Sequence, residues 1–159
     1  WNNDGGTYIY SEQLKPLSRE TLDYRTELIG KGDYSSSIFQ YAKQFASADT
    51  IVIAAPFWDL SFPAALKIYV ENIYATGIVS QYGKNGQPVG MCRAEKLYYV
   101  TTAGGPYVPD YSYNYIRDLA VQYFGIKETE LIKADMLDVE GFSAEKIVKR
   151  TIEEISVST

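Results

Sequence analysis

The apolar positions of this chain change their spacing from block to block, and that change predicts its elements. Residues 35–48 place Ile38, Ala42, Phe45 and Ala46 on one stripe behind a run of serines, the pattern of a helix with one face inward. Residues 50–55 are an unbroken run of β-branched and small residues, as in strands covered on both faces within a parallel sheet. Pro63, with Ser61 ahead of it, suits the first turn of a helix reaching about Ala75, its stripe being Ala65, Leu66, Tyr69 and Ile73. Residues 83–88 predict a loop, because Asn85-Gly86 favours a tight turn. A second strand is expected over 97–102, a helix over 112–124 stopped by Gly125, and a third strand over 130–134. Ser143 caps a last helix whose Ile147, Val148, Ile152 and Ile155 are expected to face inward. The lead-in, residues 1–32, is polar and turn-rich and reads as irregular. It holds a short apolar piece at 8–10 and one or two helical turns within 18–29, where Leu22, Arg25 and Ile29 share a face.

Helices alternating with strands predict an α/β chain, built as an open parallel sheet with helices on both faces and forming one domain without repeats or linkers. Ligands of such sheets bind beyond the carboxyl ends of the strands. Two segments occupy that position. The first is Pro56-Phe57-Trp58-Asp59-Leu60-Ser61-Phe62-Pro63, dense in aromatics and directly before a helix. Its rings can flank a flat ligand while backbone amides meet the ligand's polar edge, or they can bury themselves under the helix. The second is Thr101-Thr102-Ala103-Gly104-Gly105-Pro106-Tyr107, where paired glycines permit close approach of backbone to ligand or simply let the chain leave the strand. Tyr107, Tyr111, Tyr113 and Tyr115 wall a planar site on one reading and are surface aromatics on the other.

Composition then narrows the chemistry. The 159 residues (17.9 kDa) contain no histidine and one cysteine, Cys92, which removes imidazole-based nucleophilic triads, histidine zinc sites, four-cysteine metal sites and any intrachain disulfide. A reducing compartment, the cytoplasm, is expected. A net charge of −5 without runs of Lys or Arg argues against nucleic acid as partner. No apolar stretch is long enough to span a bilayer, so no membrane is expected either.

Together, IVIAAPFWDLSFPAALKIYVENI and LYYVTTAGG resemble the flavodoxin-like NAD(P)H:quinone oxidoreductase and FMN-dependent azoreductase family, from about Leu14 to the final helix. The resemblance implies a flavodoxin-like fold and an FMN-dependent oxidoreductase that works as a homodimer. Such an enzyme takes hydride from NAD(P)H and passes it to quinones or azo- and nitro-type small acceptors in ping-pong fashion, the cofactor carrying the chemistry. It implies Pro56, Phe57, Trp58, Asp59 and Leu60 along one rim of the flavin, and Thr102, Ala103, Gly104 and Gly105 along the other. Phe62, Tyr82 and Tyr107 are expected beside the substrate. A non-enzymatic electron carrier or a cofactor-free binding domain are the alternatives. The family's opening strand, Ser-rich phosphate loop, helix and second strand are not recognisable here. The chain therefore reads as lacking the first β-α-β portion, either as a piece of a longer polypeptide or as a domain that a partner completes. The strand at 51–55 then has a neighbour on one side only.

Overall fold

The computed structural model describes residue 9 and residues 14–157. The first element, α1 (Arg19–Lys31), starts where Ser18 Oγ accepts the Thr21 amide and ends on Gly32 in the left-handed region. A 3-10 turn, Ser37–Phe39, leads into α2 (Gln40–Ser47), and β1 (Thr50–Ala54) follows. Behind Pro63 comes α3 (Ala64–Ile73), then a short antiparallel hairpin of β2 (Ser80–Tyr82) and β3 (Pro88–Gly90). The central strand β4 (Lys96–Thr102) precedes α4 (Tyr113–Leu119), which widens into a π turn over Ala120–Phe124 and stops at Gly125 with φ 80°. The chain then forms β5 (Glu128–Ala134) and α5 (Ala144–Val157).

The sheet is parallel, in the order β1-β4-β5. Its register sets Ile51, Leu97 and Thr129 in one row and Ile53, Tyr99 and Leu131 in another on the same face. Phe39, Phe45, Leu66, Val70, Ile73, Ile116 and Phe124, drawn from the 3-10 turn, α2, α3 and the α4 region, pack with Leu97 and Tyr99 into one buried cluster. The second face carries α5, which lies against β5 and anchors there through Thr151 Oγ1 donating to Lys133 O at 3.5 Å. No helix among the described residues is long and apolar enough to cross a membrane.

Several expectations need correction. Instead of one or two turns in an irregular lead-in, α1 is a full helix of 13 residues. Tertiary contact accounts for it: buried Arg25 donates Nη1 to Glu71 O at 3.2 Å and Nη2 to Tyr74 O at 3.1 Å, satisfying carbonyls at the end of α3. The loop expected at 83–88 is present over 83–87, and what the sequence did not reveal is the pair of strands it joins, β2 and β3, too short for periodicity to show. The stripe of α5 does not face inward as a whole: Ile152 is 57% exposed and Val148 38%. The cause is sheet width, since three strands give that helix apolar surface only along β5. Among the described residues β1 pairs with β4 alone, and Val52 is 63% exposed. Apart from Ile9, the apolar piece at 8–10 lies outside the described residues.

Candidate functional site

The site is assembled where the three parallel strands end. Past Ala54 the ladder continues, with the Ala55 amide donating to Val100 O at 3.0 Å and the Phe57 amide to Thr102 O at 2.9 Å, so the first loop leaves alongside β4. It then turns back at once: Trp58 and Ser61 exchange both backbone bonds, at 3.0 and 2.8 Å, around Asp59 (φ 50°) and Leu60 (φ 65°). Two consecutive left-handed residues define a tight turn that normally takes Asn-Gly, and a leucine there is strained. Ser61 Oγ donates to Tyr111 O at 2.7 Å, tying this loop to the second. The rings of Phe57 and Tyr107 meet edge-on with centroids 4.8 Å apart, and Phe62 lies 5.8 Å from Tyr115.

A third loop, after β5, closes the assembly, and unlike the segments after Ala55 and Thr102 it carries no cluster of rings or paired glycines. The amides of Met136, Leu137 and Asp138 donate to Gly105 O, Ala103 O and Gly104 O at 3.1, 3.2 and 2.9 Å. Gly104 lets the loops approach closely, since a Cβ there would stand 2.3 Å from Asp138 Oδ2 and that side chain would have to move. Met136 is left-handed (φ 65°), so all three non-glycine residues with positive φ among the described residues sit on these strand-end loops. The signal available in the sequence was positional: a third parallel strand also has a carboxyl end.

The structure thus brings together Pro56, Phe57, Trp58, Asp59, Leu60 and Phe62 with Thr102, Ala103, Gly104, Gly105 and Tyr107. Trp58 and Leu60 are more than half exposed on the rim, whereas Tyr107 is buried, its hydroxyl turned inward to Ser112 Oγ at 2.8 Å. Tyr111 is exposed; Tyr113 is committed to Thr129 through its hydroxyl and does not wall the cleft. Tyr82 is not brought to this cleft. It lies on β2 in the connection between α3 and β4, at the amino ends of the strands, where Gly90 crosses Gly125 and the Cys92 amide donates to Phe124 O at 3.1 Å.

The donor set suits a flat heteroaromatic with a polar rim. The bonds that stitch the loops use the amides of Phe57, Trp58, Ser61, Ala103, Met136, Leu137 and Asp138, and leave those of Asp59, Leu60, Gly104 and Gly105 outside that network. Phe57 and Trp58 add aromatic surface beside them. None of the three loops carries Lys or Arg, so they offer a ligand backbone amides and aromatic surface rather than a cationic side chain. Among the described residues no group of three or more His, Cys, Asp or Glu could hold a metal ion. Burial pushes the Cys92 thiol up to about 12, so it stays protonated and unreactive.

A family model for the flavodoxin-like fold matches residues 7–157. An FMN-dependent NADH:quinone oxidoreductase of Clostridium acetobutylicum is 37% identical over 151 residues, spanning 91% of this chain and 74% of that protein. The FMN-dependent NADH:quinone oxidoreductase of Clostridium perfringens is 38% identical over the same coverage. Among solved structures, an azoreductase from Bacillus anthracis superposes with a TM-score of 0.77 at 25% identity, covering 92% of this chain and 76% of that one.

Proposed function

The chain belongs to the flavodoxin-like family, and from that membership we propose its reaction: a nicotinamide nucleotide reduces, through FMN, a quinone or an azo- or nitro-type acceptor, the two substrates using one cleft in turn. It is a flavin-dependent oxidoreductase, as the two clostridial relatives are named. The observation that carries the finer reading is the Phe57–Thr102 backbone bond at 2.9 Å, which holds the two predicted loops side by side at one end of the sheet.

FMN, when bound, supplies two-electron chemistry that side chains cannot perform. The protein's part is to bind, orient and shield. Asp59, Leu60, Gly104 and Gly105 would offer backbone N–H groups to the polar rim of the ring, Phe57 and Trp58 would give it aromatic surface, and Pro56, Thr102 and Ala103 would support the loops that hold it. Phe62 and Tyr107 border the acceptor. The hydroxyl of Tyr107 is paired with Ser112 Oγ, which makes its ring a packing surface, and the chain has no histidine to serve as a proton relay. Trp58, Leu60 and Tyr111, all more than half exposed around the cleft, support a homodimer that covers them. The cytoplasm suits this chemistry.

The test is direct. FMN added to the purified protein loses fluorescence on binding, and NADH oxidation then depends on a quinone, with parallel double-reciprocal plots. Unchanged flavin fluorescence sinks the proposal. The net charge of −5 favours one second reading, an electron carrier docking to a basic partner. A carrier would bind FMN yet fail to oxidise the nicotinamide unaided.

A further inference from the structure

Asp135 has no place in the reaction just described, yet it is where the third loop grips the second. Its Oδ2 accepts Lys133 Nζ at 2.6 Å and the Tyr107 amide at 3.3 Å. Lys133 Nζ also stands 5.9 Å from the Tyr107 ring centroid. At its other end Tyr107 is fixed by the Ser112 bond and by the Phe57 ring. Tyr107 therefore touches all three loops, and its backbone is held by a charged acceptor, a stronger partner than a carbonyl.

The residues just before it need such a hold. Gly104 and Gly105 have no side chains, and nothing lies within 4 Å of where a Cβ would stand on Gly105. Backbone bonds set the shape of that turn: Met136 N–H to Gly105 O, Asp138 N–H to Gly104 O, and Tyr107 N–H to Asp135. The first two anchor carbonyls. The third anchors the turn's exit, and it depends on a side chain.

We propose that Asp135 is a positioning residue for the flavin seat: held by Lys133, its carboxylate fixes the Tyr107 backbone and with it the Gly104–Gly105 turn whose amides meet the ring. The role rests on the flavin site proposed above. Lys133 pairs with the carboxylate at 2.6 Å, so this anchor adds no net charge of its own beside the turn.

The experiment compares the unmodified protein with Asp135→Ala and Asp135→Asn, reading FMN affinity by fluorescence and hydrogen exchange at the Tyr107 amide by NMR. Asp135→Ala is expected to weaken FMN binding about tenfold and to speed Tyr107 exchange by a similar factor, the scale of one hydrogen bond to a charged group. Asp135→Asn keeps an oxygen acceptor and is expected to recover most of both, a rescue that a merely structural loss would not show. FMN affinity unchanged in Asp135→Ala, or Asp135→Asn as weak as Asp135→Ala, overturns the role. If the unmodified protein leaves FMN fluorescence unchanged, the flavin reading itself falls and this role falls with it, whatever the exchange rates show.

Discussion

The two faces of β4 are built to different standards. On one, Leu97, Tyr99 and Thr101 are sealed at 1%, 0% and 3% exposure beneath the helical layer. On the other, the neighbouring rows of β1 and α5 leave Val52 and Ile152 more than half open. The sealed face provides the stability of the domain, because burial of apolar area dominates folding and most of it lies there. The open face contributes less, and the outer edge of β1, which no strand among the described residues pairs, is of the kind proteins usually cover or guard with charge. The strained loops stand at the ends of strands whose sealed face can bear their cost.

The largest test of this contrast is a matched pair. Leu97→Ala should lose ~2–5 kcal/mol in urea unfolding, whereas Val52→Ala on the open face should stay within ~0.5 kcal/mol. Equal losses would break the comparison. Gly90→Ala comes next: its Cβ would lie 2.1 Å from Gly125 N, backbone against backbone. Forcing the hairpin away from the π turn should cost about 1–3 kcal/mol, seen as a lower unfolding midpoint. At the strand ends the sign reverses. Met136→Gly relieves a left-handed residue and should raise stability by about 1 kcal/mol, while a loss would show that the methionine side chain matters more than its backbone.

The smallest effect concerns pH. Burial works against the charge of Asp135, but the Lys133 bond and the Tyr107 amide more than compensate and hold its carboxyl below the ordinary 3.8. The lowered value means that its stabilisation is complete above the ordinary carboxylate range and is lost as pH falls through the lowered value. Acid titration of Asp135→Asn should lack this component and track the parent elsewhere.

Much of the fold could be read directly because β1, β4 and α3 are governed by local pattern: unbroken apolar runs and a proline at a helix start. What escaped depends on distant partners. The hairpin has three-residue strands, of which only the Asn85-Gly86 tip has a sequence signature. The full length of α1 depends on Arg25 finding carbonyls 46 and 49 residues away. Two of the site's loops were visible from their rings and glycines. The third was not, since Asp135-Met136-Leu137-Asp138 resembles any polar exit from a strand until Met136 is seen left-handed over Gly105. Tyr82 shows what residue type leaves out: its ring suits a flat ligand, but its place on β2, in the connection between α3 and β4, sets it apart from these loops within the chain.

The cluster of Asp59, Leu60 and Met136 in the left-handed region has a kinetic corollary. Under the proposed function, loops whose backbone is already fixed in the free chain would add little ordering cost to binding, so ligands are expected to differ in how long they stay more than in how fast they arrive.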